Sequence, residues 1–186
     1  IYDVPLKMLN EGLDKVVLEK LQLAPKKPLD LESWNIFLEK FKNPKHTLKI
    51  GLVGKYVELQ DSYKSILESL IHAGASNETE IEVVSIHSEY LEEGDVAKKL
   101  LGLNGLIVAP GFGERGIEGK ISAIAYARLN KLPFFGICLG MQMAVIEYAR
   151  NQIGLTNANS TEMRANCKEA VIDLMESQKS VVKKGG

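Results

Sequence analysis

From Leu48 onward, short and mainly apolar runs alternate with stretches whose apolar residues recur every three or four positions. LKIGLVG, IEVVSIH, GLIVAP and LPFFGI are runs of the first kind and predict four strands. DSYKSILESLIHAG, opened by Asp61 and ended by Gly74, predicts a helix, as do DVAKKLLG, KISAIAYARLN and LGMQMAVIEYARN. Strands that are apolar throughout and separated by helices belong to a parallel sheet covered on both faces. The expected fold is therefore α/β, a doubly wound and mostly parallel sheet, and a strand order of 2-1-3-4 is the working topology.

Residues 1–47 have a different pattern. MLNEGLDKVVLEKLQL carries Leu9, Leu13, Val16, Val17 and Leu21 on one helical stripe, and APKKP breaks it with two prolines. Asp30 then caps a second amphipathic helix through Leu31, Trp34, Phe37, Leu38 and Phe41. The division expected is a helical arm over 1–47 and a domain over 48–186. The stripes either pack on the chain's own core or join this domain to another.

Composition narrows the function classes. The 186 residues are 45% hydrophobic and 25% charged, with a formal net charge of -1. A nucleic-acid or anionic-membrane surface calls for a basic excess, which is absent. No apolar run approaches the roughly 20 residues of a membrane span. Two cysteines are too few for a disulfide framework, so a cytoplasmic setting is expected. The chain opens without methionine at IYDVP and closes on KKGG, which suggests a piece of a longer protein.

In open α/β sheets, ligands sit beyond the carboxyl ends of the strands. GICLG, at the end of the fourth predicted strand, has the layout of a nucleophile elbow with sulfur as the nucleophile. Gly136 and Gly140 allow strand and helix to approach around a tight corner. Cys138 then stands at a helix N-terminus, where free N–H groups favour a thiolate, and the N–H of Leu139 is placed as half of an oxyanion hole. The competing reading is a buried cysteine acting as a small hydrophobe. Cys167, in the polar stretch MRANCKEA, reads as an incidental surface thiol.

GFGERG, Gly111 to Gly116, fits the dinucleotide fingerprint in spacing only. It follows the third strand rather than the first, and the next strand ends without an acidic residue for a ribose. Its glycines are better used to bring backbone N–H groups to the cysteine. Gly111 is positioned to donate, whereas Pro110 has no N–H.

With GICLGMQ, GFGERGIEGK and NANSTEM in view, the chain over Leu48 to Met163 resembles the glutaminase domain of the CTP synthase family, a flavodoxin-like class I glutamine amidotransferase. The arm resembles that family's junction with its synthetase domain. The resemblance implies that Cys138 attacks the side-chain amide of L-glutamine, with Leu139 and Gly111 donating to the oxyanion and Gln142 and Glu162 holding the substrate. It also implies that the ammonia released serves a synthetase domain that aminates ATP-activated UTP. This domain would hold no cofactor or metal, whereas the whole enzyme would use ATP, Mg2+ and GTP as activator and assemble as a homotetramer. The family reads Pro-Gly-Gly-Phe-Gly where this chain has Ala109-Pro110-Gly111-Phe112-Gly113, so the inferred donor is retained behind a proline.

The family's triad histidine and its acidic partner follow the elbow, but His46, His72 and His87 all precede Cys138. The 186 residues alone are therefore expected to be inactive. Two alternatives share the pattern. One is another class I amidotransferase or related cysteine hydrolase, and the other is a non-catalytic docking module acting through the arm.

Overall fold

The computed structural model describes residues 1–25, 27–92 and 95–175, and the chain divides into two compact units. The first comprises Ile1–Thr47 and Ser69–Glu80, and the second Leu48–Glu68 and Ile81–Gly186.

In the first unit, the single helix predicted from MLNEGLDKVVLEKLQL is two: α1 (Val4–Asn10) and α2 (Leu13–Lys20). Gly12 separates them at φ +70°, a left-handed conformation that glycine adopts without a Cβ penalty. Neither helix buries a residue completely. The α3 helix (Glu32–Lys42) starts one residue later than its pattern suggested. Asp30 still contributes there, since its Oδ1 accepts the Glu32 N–H at 2.9 Å. The apolar face of α3 builds an aromatic cluster with the N-terminus. The Trp34 indole N–H donates to the Tyr2 carbonyl at 3.1 Å, and the Phe37 ring centroid lies 5.4 Å from that of Tyr2.

The second unit contains the sheet. Its strands are β1 (His46–Gly54), β2 (Thr79–His87), β3 (Gly105–Val108) and β4 (Phe134–Gly136), in the expected order β2-β1-β3-β4. The pairing of β1 with β3 and of β3 with β4 is parallel, with Val53 opposite Val108 and Val108 opposite Gly136. The helix predicted from Asp61 begins as a 3-10 turn (Gln60–Tyr63) and becomes α4 (Lys64–Ser76), which runs past Gly74. A second 3-10 turn (Ser88–Leu91) leads to α5 (Val96–Leu100), whose N-cap Asp95 accepts the Lys98 N–H.

Two helices supply most of the core. α6 (Ile117–Leu129) and α7 (Leu139–Tyr148) pack together, and Val108, Ile121, Ile124, Met143 and Ile146 are buried. Arg128 on α6 forks onto the buried Glu147 carboxylate of α7, donating at 2.7 and 3.0 Å. This pairing spares an uncompensated charge in the core. Two short strands, β5 (Asn159–Ser160) and β6 (Ala170–Ile172), form a separate parallel pair. The hydrophobic pattern does not announce them, because two or three residues cannot display a period.

Gly116 of the GFGERG loop and Gly119 of α6 serve close packing. A Cβ on Gly116 would run into the Ser88 hydroxyl, and one on Gly119 into the Ser88 carbonyl. Beside Gly119 lies Lys120, a cation with no exposed surface. Burial, and repulsion from Lys55 second, push Lys120 down from 10.5 to about 8, against the attraction of Cys138 when its sulfur is ionised.

Two expectations follow from this packing. Gly119→Ala forces α6 away from the 88–91 turn and lowers stability by about 2 kcal/mol or more, read as a shift in the denaturant midpoint. Between pH 8 and 10.5 the unfolded chain holds the Lys120 proton more tightly than the folded one, so stability rises with pH in that window. Lys120→Met removes this dependence. The variant's stability relative to wild type is therefore greatest below pH 8 and falls by about 3 kcal/mol by pH 10.5, at about 1.4 kcal/mol per pKa unit. Thermal melts across that range check it, and a constant difference would refute it.

Candidate active site

The site forms where β3 and β4 end. Ala109 donates its N–H to the Val53 carbonyl at 2.9 Å, and Ile137 donates to the Val108 carbonyl at 3.0 Å. The two chains thus leave the sheet side by side. Cys138 comes next, with φ 51° and ψ -107°, and it is exposed. A side-chain-bearing residue occupies that region at a cost of roughly 1–3 kcal/mol, and such strain is concentrated at functional sites. The buried-hydrophobe reading of Cys138 does not fit an exposed thiol in this geometry.

The flanking glycines make the corner possible. A Cβ on Gly136 would lie 2.6 Å from the Gly140 carbonyl carbon. One on Gly140 would collide with the Val108 carbonyl oxygen. The first turn of α7 is thereby pressed against the ends of β3 and β4. Gly140 donates its N–H back to Ile137 at 2.9 Å, and Gln142 donates to the Cys138 carbonyl at 3.1 Å. As the first residue of α7, Leu139 has an N–H with no intrahelical acceptor.

The structure also brings Gly111 to this corner. A Cβ built there would sit 3.6 Å from Leu139 Cδ2 and 3.5 Å from Lys120 Nζ. Gln142 is half-buried one turn into α7. Glu162 is exposed in the turn after β5, a strand packed on α7, and its N–H donates to Ser160 Oγ at 3.2 Å. Cys167 is half-buried rather than fully at the surface, with Sγ 3.6 Å from the Asn157 carbonyl.

His87 ends β2, at the opposite edge of the sheet from β4. Three strand spacings of ~4.8 Å separate them, about 14 Å, far beyond proton-transfer reach. Its ring instead lies against Tyr90, with centroids 4.8 Å apart. His72 belongs to the first unit's aromatic cluster, with its Nε2 3.1 Å from the Tyr2 hydroxyl, and His46 opens β1.

Two lysines were missed by sequence reasoning. Tyr63 accepts the Lys55 N–H at 3.1 Å and the Tyr56 N–H at 3.3 Å, which shapes the turn after β1. Lys55 Nζ then donates to the Phe112 carbonyl at 2.6 Å. Lys120 Nζ donates to the Ala109 carbonyl at 2.9 Å. Both cations are buried, and each grips one end of the segment that carries Gly111. One signal was available: Lys120 stands in a helix whose neighbours Ile121, Ala123 and Ile124 are apolar. Among the described residues, no group of three or more His, Cys, Asp or Glu is disposed to hold a metal ion. Nor is any described helix long and apolar enough to cross a membrane.

Comparison with known proteins places this geometry. The family model for glutamine amidotransferase class I matches residues 58–184. The CTP synthase of Flavobacterium psychrophilum is 64% identical over 186 residues, covering all of this chain and 35% of that protein. The CTP synthase of Methanocaldococcus jannaschii is 52% identical over 192 residues, with 100% and 35% covered. The chain thus spans about a third of the length of the curated relatives it matches. Among solved structures, the glutaminase domain of Trypanosoma brucei CTPS, with acivicin bound, superposes with a TM-score of 0.66 at 38% identity. That match covers 71% of this chain and 52% of the other. The chain belongs to the class I glutamine amidotransferase family.

Proposed function

We propose that this chain is the glutamine-hydrolysing part of a longer, cytoplasmic enzyme that makes CTP from UTP, and that Cys138 is its nucleophile. The observation that carries the reading is the strained, exposed backbone of Cys138 at the N-terminus of α7. The relatives' common name, CTP synthase, supports the choice of product.

The chemistry follows from the corner. The Cys138 thiolate attacks the glutamine carboxamide carbon, and the C=O electron pair moves onto oxygen. The N–H groups of Leu139 and Gly111 take up that oxyanion, a contribution that costs no reorganisation because both donors are fixed beforehand. Collapse of the tetrahedral species breaks the C–N bond, and the leaving nitrogen departs as ammonia once it gains a proton. Water then cleaves the glutamyl thioester to release glutamate and the free thiol. Gln142, one turn along the same helix face, orients the substrate. Glu162 pairs with its α-ammonium group.

His87 is too distant to serve as base, so these 186 residues alone are expected to turn over glutamine negligibly. ATP, Mg2+, UTP and GTP are assigned to the whole enzyme, as is assembly into a homotetramer.

Replacing Cys138 by Ala in the full-length enzyme should lower glutamine-dependent CTP formation by about 10^3-fold or more, with ammonia-dependent formation retained. Equal loss of both activities, or loss of neither, would contradict the assignment. Glu162→Gln removes a charge-assisted contact and should raise the KM for glutamine roughly 10- to 100-fold with little change in ammonia-dependent rate. An unchanged KM would exclude Glu162 from the substrate site.

A further inference from the structure

Lys120 has no exposed surface, and its ammonium donates to the neutral carbonyl of Ala109 at 2.9 Å. Among the described residues, no carboxylate forms an ion pair with it. A buried lysine with only a structural task reaches a carboxylate or extends its ammonium to water, because an uncompensated buried charge is costly. Here the ionisable groups that bear on it are a second buried cation, Lys55, which repels it, and Cys138, whose sulfur attracts it when ionised. Its Nζ would be 3.5 Å from a Cβ on Gly111, the residue beside Leu139.

Building on the glutaminase reading above, we propose that Lys120 is a positioning residue of the Cys138 site. Its ammonium clamps the Ala109 carbonyl so that Gly111 stays next to Leu139, and at neutral pH it places a positive charge behind the segment that carries Gly111. The countercharge missing from the resting core is then supplied by the sulfur, and by the oxyanion as it forms. Pro110 suits the same purpose, since a stiff residue between the clamped carbonyl and Gly111 transmits the clamp. The α7 N-terminus and the ammonium act on the site together, one through backbone dipoles and the other through a full charge.

The test compares alkylation of Cys138 by anionic iodoacetate and by neutral iodoacetamide in the full chain at pH 7, where Lys120 carries its proton. Peptide mass spectrometry follows the reaction, with Cys167 as internal reference. Wild type is compared with Lys120→Met, which keeps an apolar stem without the charge, and with Lys120→Arg, which keeps the charge.

Loss of the positive charge behind the Gly111 segment should lower the iodoacetate-to-iodoacetamide rate ratio at Cys138 about five- to tenfold in Lys120→Met, with the Cys167 ratio unchanged. Lys120→Arg should stay within about twofold of wild type. An unchanged ratio in Lys120→Met overturns the proposal. So does an equal fall in Lys120→Arg, which would show that shape rather than charge is at issue. Circular dichroism checks folding, and Lys120→Gln is read in the same way where Lys120→Met does not fold. The broader reading fails separately: it is contradicted if wild-type Cys138 alkylates no faster than Cys167. Fast alkylation of Cys138 with a ratio indifferent to Lys120 overturns the present proposal alone.

Discussion

The carbonyl oxygen of Val108 leaves no room for a side chain on Gly140, and Gly140 in turn leaves none on Gly136. This three-way contact at the ends of β3, β4 and α7 sets how sharply the chain must turn, and Cys138 absorbs the turn in its own backbone. The same contact explains why the thiol is exposed although its neighbour Leu139 is buried. A gentler corner would carry the cysteine into the core, or lift α7 off the sheet and lose the packing of Met143 and Ile146. The fold and the proposed chemistry therefore rest on one steric constraint.

Around that corner, charge is placed at some cost in stability. Lys55 and Lys120 lie inside the protein and each is bonded to a carbonyl of the glycine loop, at Phe112 and Ala109. Paired carbonyl grips of this kind can fix a loop that glycine would otherwise leave free. Among the described residues neither ammonium is paired with a carboxylate, leaving a charge that an anionic sulfur or a developing oxyanion can satisfy. The Arg128–Glu147 fork shows the other solution within the same core, a cation matched to its own carboxylate.

The sheet was largely legible in the sequence because its strands are mainly apolar runs and its helices are periodic, and the order β2-β1-β3-β4 was as expected. The elbow was legible because Gly-x-Cys-x-Gly joins two steric requirements to one reactive atom. Other features depend on contacts that pattern cannot express. Gly12 divides a continuous apolar stripe into α1 and α2, since a single left-handed residue leaves hydrophobic spacing almost unchanged. The pairing of β5 with β6 is too short to show a period. Lys120 stands among apolar helix neighbours, but its contact with the Ala109 carbonyl exists only once the fold closes over it. The roles of Gln142 and Glu162 came from resemblance, and the structure adds their positions, on α7 and just after β5.

The central claim is that Cys138 is a nucleophile shaped to receive glutamine. Treating the full-length enzyme with diazo-oxo-norleucine, a glutamine-mimicking electrophile, and mapping the adduct by mass spectrometry tests it most directly. The account predicts a single adduct on Cys138, suppressed by excess glutamine, with Cys167 unmodified. An unmodified Cys138, or labelling that glutamine leaves undiminished, would contradict it.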